Sequence, residues 1–162
     1  MSDKTLAMLA LDRQGIAYQV IEFPEEIHDA RGVAEFAGLA PEEVYKTLVV
    51  RRTSPGGRPM LIMVGGDREL NLKKVARAVG EKKVCMAKQA EAERLTGLKV
   101  GGICALPPTN QRFDVYIDRP AASKSRVAVS AGRRGLNLLL AVTDLIHVTG
   151  AQVIGATDEP EA

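Results

Sequence analysis

Tryptophan is absent from this 162-residue chain, and Tyr and Phe contribute three residues each. So sparse a supply of rings excludes an extended stacking platform for single-stranded nucleic acid. It also leaves the core to Val, Leu, Ile, Ala and Met. Cysteine is nearly as rare: Cys85 and Cys104 are the only two and form no CxxC unit. Neither a disulfide framework nor a four-ligand zinc site is expected from them, and each reads as a small buried hydrophobe. His28 and His147, the only histidines, are isolated in the sequence, so a metal centre and a Cys–His catalytic pair are poor expectations. No apolar run approaches the ~20 residues that span a bilayer, and no secretory leader pattern opens the chain. A cytoplasmic protein without metal, cofactor or membrane association is expected. GxSxG, P-loop, GxGxxG and HExxH motifs are all missing, and Ser130 has no local His–Asp partnership. These gaps argue against a self-contained protein nucleophile.

What is present fits one folded unit. An apolar fraction of 46% and a charged fraction of 26% are ordinary for a globular chain. One domain is expected over 1–155, with 156–162 (ATDEPEA) polar and frayed. The net charge of +2 is unevenly spread. Residues 1–45 carry −6 and 46–70 carry +3, while 71–100 carry +5 and 101–162 balance. The basic middle suits an anionic polymer such as RNA or, equally, a solvated helix face.

Residues 3–14 read as a helix stopped by Gly15, and 16–23 (IAYQVIEF) as a strand. Asp29 caps a short helix ending at Gly38, and Pro41 starts a helical turn. VYKTLVV (44–50) and PMLIMV (59–64) read as strands. Asn71 caps LKKVARAV (72–79), whose Leu72, Val75, Ala76 and Val79 fall at helical spacing. A short strand at 82–87, a helix at 88–95 and strands at 113–118, 126–132 and 136–142 follow. A final helical turn begins at Asp144. Strands and helices alternate without regular βαβ spacing, which predicts an α+β domain around a mixed sheet.

Three places could carry chemistry. On a strand over 44–50, Val44, Lys46, Leu48 and Val50 share a face. A lysine there either snorkels outward or serves an anion or a polarised carbonyl. Gly101-Gly102 lets backbone approach a ligand and present N–H groups to an oxyanion, or simply makes a turn. Ser130 to Gly135 joins a hydroxyl, Gly132 and two guanidinium groups, either for phosphate and ribose or as a basic turn.

Taken together, VYKTLVV (44–50), LNLKKVARAVGEKKVCMA (70–87), TGLKVGGI (96–103), the Ile117-Asp118 strand end and VSAGRRGLNLLL (129–140) resemble the YbaK-type bacterial aminoacyl-tRNA deacylases. These are relatives of the editing domain inserted in bacterial prolyl-tRNA synthetases. The resemblance spans about residues 3–150. It implies a curved, partly barrel-like mixed sheet with helices around it, and an open pocket for the aminoacyl end of tRNA. It further implies cleavage of Cys-tRNA(Pro), and also of Cys-tRNA(Cys), by attack of the substrate's own thiol on its ester. By the same resemblance Lys46, Gly101 and Gly102 are catalytic, and Phe23, Ser130, Gly132, Arg134 and Asn137 bind substrate. The expected partners are aminoacyl-tRNA, in particular tRNA(Pro), and prolyl-tRNA synthetase. The chain departs from the family pattern at Asn137, where many members have Asp. It departs again at Cys104, where a small polar residue is usual, and at Phe23, where some carry a phenol. A deacylase for Ala- or Ser-charged tRNA using water is the rival within the class, and a non-catalytic aminoacyl-tRNA or synthetase-binding module the rival outside it.

Overall fold

The computed structural model describes residues 3–159. In chain order it comprises α1 (Leu6–Arg13), β1 (Gln19–Glu22), α2 (Ala30–Ala37), β2 (Tyr45–Arg52), β3 (Met60–Gly65), α3 (Leu72–Val79), β4 (Val84–Met86), α4 (Gln89–Thr96), β5 (Asp114–Asp118), β6 (Arg126–Arg133), β7 (Leu136–Ala141), α5 (Val142–Thr149) and β8 (Gln152–Ile154). Short 3-10 turns fill Pro41–Glu43, Thr109–Arg112 and Arg119–Ser123. The α+β class expected from the sequence is what the chain adopts.

The strands divide into two sheets. One is antiparallel, in the order β1-β7-β6; the other is mixed, in the order β4-β2-β3-β5-β8. A parallel bridge between Val44 and Ala128 joins them, and no barrel closes among the described residues. β3 is central and buried along its whole length. Its Leu61 and Met63 enter the largest apolar cluster, with residues of β6, β7 and α5. Its Met60, Ile62 and Val64 pack on the opposite face against Val75 and Ala76 of α3. The alternation of a strand thus feeds two cores at once. A third, smaller cluster joins Val33 and Ala34 of α2 to Phe23, Val44, Ala128 and Leu139, and it sets α2 over the junction of the sheets.

The helix boundaries follow local chemistry. Asn71 Oδ1 accepts the Lys73 and Lys74 N–H groups at the start of α3, and Gly80 closes it in the left-handed conformation. Asp29 Oδ1 accepts the Gly32 N–H at 3.1 Å to open α2. The segment expected to fray is held down at its start. Ala156 and Thr157 are buried, and the buried Asp118 carboxylate accepts from the Ala156 N–H and the Thr157 hydroxyl. The Ala156 carbonyl in turn accepts the Asn71 N–H at 2.8 Å. Fraying is therefore wrong for 156–157: a strand end with a carboxylate supplied partners that polarity alone did not reveal. Residues 160–162 lie outside the described residues.

Candidate active site

A cleft of about 540 Å³ opens where β2 loses its flanking strand. The Gly66 N–H donates to the Val44 carbonyl at 2.8 Å, which makes residue 44 opposite 66 a hydrogen-bonded pair. By alternation Lys46–Val64, Leu48–Ile62 and Val50–Met60 are the hydrogen-bonded pairs with β3. The main-chain groups of Thr47 and Val49 therefore point to the other edge. β4 covers that edge only from Val50 to Arg52, with the Ala87 N–H reaching the Val49 carbonyl at 3.0 Å. β6 meets the edge only at Val44. At Thr47 no strand pairs with it, and its peptide N–H and C=O are directed to the cleft side. The buried Thr47 Oγ1 has no hydrogen-bond partner among the described residues. Because buried polar atoms are ordinarily paired, this hydroxyl marks a position suited to a ligand group.

Lys46 sits on the β2 face between Val44 and Leu48, with its side chain 27% exposed. Glu69 Oε1 lies 3.9 Å from its Nζ, but that glutamate side chain is 97% exposed, so the pair is a loose surface contact of little strength. The ammonium is available to an anion in the cleft. Phe23 and Asn137, both buried, line the deep end together with Ser130. Asn137 faces Ser130 across the β6–β7 ladder. Its carboxamide makes no hydrogen bond among the described residues. The Ser130 Oγ accepts the Gly132 N–H at 3.1 Å, where a bulge interrupts the ladder.

The glycine pair is split in function. Gly101 lines the cleft at φ +93°, a conformation that costs other residues strain, and its N–H has no acceptor among the described residues. Gly102 lies behind it. Its N–H is spent on the Lys99 carbonyl at 2.8 Å, and a methyl there would stand 2.9 Å from Arg133 C and Arg134 N. Gly102 thus seats the loop on the β6–β7 turn, and Gly101 is the member that can meet a substrate. Arg134 does not line the cleft, but its Nε donates to the Val100 carbonyl at 2.6 Å and its side chain borders Gly101. Gly132 is set back in the bulge.

Two wall residues had no signal in the sequence reading. His28 lines the cleft mouth, with its Cδ2 3.4 Å from where a methyl on Gly101 would be. Its isolation along the chain is undone by the folding of α2 over the sheets. Thr47 lay hidden within a strand pattern, and only the missing neighbour of β2 exposes its role. No cysteine lines the cleft. Cys104 is buried, accepts the Leu106 N–H at 3.2 Å, and burial pushes its thiol up to about 12. Cys85 is half-buried on β4 beside a separate groove with Arg51 and Glu91.

Known proteins share both the sequence and the fold of this chain. The model of the aminoacyl-tRNA editing domain family matches residues 24–148. The candidate Cys-tRNA(Pro)/Cys-tRNA(Cys) deacylase EbsC of Enterococcus faecalis is 34% identical over 151 residues, 92% of this chain and 90% of that protein. Proline–tRNA ligase of Thermodesulfovibrio yellowstonii is 40% identical over 84 residues, 52% of this chain and 14% of the ligase. Among solved structures, a candidate trans-editing enzyme for prolyl-tRNA synthetase superposes with a TM-score of 0.82 at 24% identity, over 97% of this chain and all of that one. The protein APE2540 does so with a TM-score of 0.81 at 25% identity, over 91% of this chain and 96% of its own.

Proposed function

This chain belongs to the aminoacyl-tRNA editing domain family, and from that membership we propose that it is a trans-editing deacylase that cleaves Cys-tRNA(Pro). The observation that carries the reading is the composition of the cleft. It pairs an available ammonium, Lys46, with an unspent N–H at Gly101 and an open strand edge at Thr47, and it holds no cysteine.

An aminoacyl ester is already activated, so its cleavage needs orientation and a stabilised oxyanion more than a strong base. The nucleophile is the substrate's own thiol. Its thiolate attacks the ester carbonyl carbon and a C–S bond forms. The tetrahedral oxyanion collapses, and the C–O bond to the terminal ribose breaks. The ribose oxygen takes up the proton that the thiol gave, leaving a cyclic thiolactone and free tRNA. The Gly101 N–H faces the developing oxyanion, and Lys46 anchors the ribose–phosphate end or polarises the carbonyl. The Thr47 edge and the Asn137 carboxamide hold the polar groups of the aminoacyl moiety. Lys88 and Lys99 adjoin cleft-lining residues and are exposed, which suits contacts to the acceptor-stem backbone. No helix among the described residues is long and apolar enough to cross a membrane. The site of action under this reading is the cytoplasm, with prolyl-tRNA synthetase as a partner in tRNA selection.

The test is a panel of one tRNA(Pro) charged with Cys, Ser, Ala or Pro. A hydrophobic pocket separates ligands that differ by one small group by about 10–200-fold. A required thiol separates Cys from Ser more sharply, because the hydroxyl stays protonated where the thiol partly ionises. Cleavage of the Cys ester far faster than the Ser ester, with thiolactone preceding free cysteine, is expected. Equal rates, or free amino acid as the first product, would replace this mechanism by water attack. No release from any ester would leave a binding module.

A further inference from the structure

The glycine loop reaches the cleft through a β-turn. The Gly102 N–H donates to the Lys99 carbonyl at 2.8 Å, so the turn runs from Lys99 to Gly102 with Val100 and Gly101 at its centre. Gly101 stands at φ +93°, while among the described residues no residue other than glycine has a positive φ. A negative φ at the second position followed by a φ of about +80° at the third is the mark of a type II turn. A type I turn keeps the same closing hydrogen bond and differs chiefly in its central peptide, which is turned over. Glycine at the third position admits both forms. In this chain the central peptide is the one joining Val100 to Gly101.

The peptides on either side of it are pinned. The Lys99–Val100 peptide gives its carbonyl to Gly102 and its N–H to Glu93 Oε2 of α4, at 2.9 Å. The Gly101–Gly102 peptide gives its N–H to the bond that closes the turn. Only the central peptide is free to turn over, and its orientation decides what the cleft meets. It is trans, so its C=O and N–H point to opposite sides. The Val100 carbonyl accepts Arg134 Nε at 2.6 Å, from a side chain that does not line the cleft, although Val100 and Gly101 both do. The Gly101 N–H is thereby turned away from Arg134 and toward the cleft. Were the peptide turned over, the carbonyl oxygen would face the cleft and the Gly101 N–H would face the guanidinium, donor against donor. An oxygen lone pair in that place repels an oxyanion, where an N–H stabilises it.

We propose that Arg134 is a positioning residue, whose hydrogen bond to the Val100 carbonyl latches the turn in its type II form and keeps the Gly101 N–H aimed into the cleft. The deacylase reading given above enters only in what that N–H does once aimed, which is to stabilise the ester's oxyanion. Arg134 makes no ion pair among the described residues, so the guanidinium is not drawn elsewhere. Its charge shortens and strengthens the bond to the carbonyl, and the polarised peptide becomes a better N–H donor on its other side.

The test uses three substitutions chosen by where each places its atoms. Counted outward from the backbone, Gln has its side-chain nitrogen where Arg has Nε, Met has a methyl there, and Lys has a methylene with the charge one atom further on. Arg134→Gln therefore keeps the donor without the charge, Arg134→Lys the charge without the donor, and Arg134→Met neither. Removing an oxyanion donor outright costs about 10²–10³ in kcat, and a turn released to sample both forms loses part of that. Arg134→Met should lower kcat on Cys-tRNA(Pro) by on the order of 10–100-fold with KM nearly unchanged. Arg134→Gln should recover most of the loss and Arg134→Lys little of it. Nuclear Overhauser spectra of the substrate-free proteins read the turn itself. The type II form sets the Val100 Hα against the Gly101 N–H, and the type I form brings the Val100 and Gly101 N–H protons together. Wild type and Arg134→Gln should show the first contact alone, and Arg134→Met should gain the second. A raised KM at constant kcat that Arg134→Lys restores would make Arg134 a ligand of the tRNA phosphates and overturn the proposal. An unchanged kcat in Arg134→Met, or a lowered kcat without the second contact, would overturn it as well. The spectra stand apart from turnover. If wild type cleaves no ester while Arg134→Met gains the second contact, the latch stands and the deacylase reading falls; without that contact the latch falls, whatever wild type cleaves.

Discussion

Lys46→Ala removes the ammonium of a half-buried side chain without emptying core volume. The expected result is a folded protein, by circular dichroism and thermal melting, whose deacylation rate falls by about 10²–10³, the loss typical when one oxyanion-stabilising donor is removed. Lys46→Arg should also be impaired, since a planar fork does not replace a compact ammonium. Cys104 makes the opposite case. Its thiol, held at about 12 by burial, stays protonated through the working range and is no nucleophile, so Cys104→Ala should keep most activity. Its signature lies in stability. Below about 9 the folded and unfolded chains both hold the proton. Above it the unfolded thiol ionises while the buried one does not, so stability falls as pH rises toward about 12. Denaturant titrations across that window should show a shallower decline in Cys104→Ala than in the parent. Lys46 was legible in the sequence because a charge on an apolar strand face violates the pattern around it. His28 was not, because nothing along the chain tells a rim imidazole from one on any exposed turn.

At the scale of elements, the loop over 97–102 depends on a contact between main chains. Gly102→Ala would place a methyl 2.9 Å from two backbone atoms of the Arg133–Arg134 turn, where no rotamer can relieve it. Such overpacking costs about 1–3 kcal/mol, and the loop must lift, taking Gly101 with it. Urea melts should show that loss of stability, and KM should rise. Most elements were legible: α3 at 72–79 and β7 from residue 136 match their hydrophobic periods. The full length of α5, Val142–Thr149, was underestimated, because its Ala141 N-cap offers no side-chain signal. β8, Gln152–Ile154, was missed altogether. Three residues with two of them exposed carry no period, and β8 exists only because the parallel edge of β5 awaits it. The division into two sheets was equally hidden. It depends on where β2 and β6 stop pairing, which is a tertiary matter that local propensity cannot set.

At the scale of the molecule, the basic stretch at 71–100 serves two ends. Lys74 is spent internally, donating to the Thr157 carbonyl at 2.6 Å, and Arg94 leans on Glu91. Lys88 and Lys99 make no ion pair among the described residues and stand beside the cleft. Neutralising both, in Lys88→Gln with Lys99→Gln, should weaken tRNA binding without changing amino-acid preference. It should also flatten the slope of log affinity against log salt by about one per lost phosphate contact. Filter-binding titrations across a salt series would read this directly. An unaltered slope would move the acceptor stem to another face.

The gap beside β2 carries a last consequence, for how the protein can be interrogated. At Thr47 the groups directed to the cleft side include a peptide N–H and C=O, which every amino acid but proline supplies alike. Side-chain scanning is blind to them: a tolerant substitution at this position would say nothing about whether its amide grips a ligand. The informative change is atomic. Replacing the Thr47 amide by an ester through chemical ligation deletes one N–H from the open edge and leaves every side chain in place.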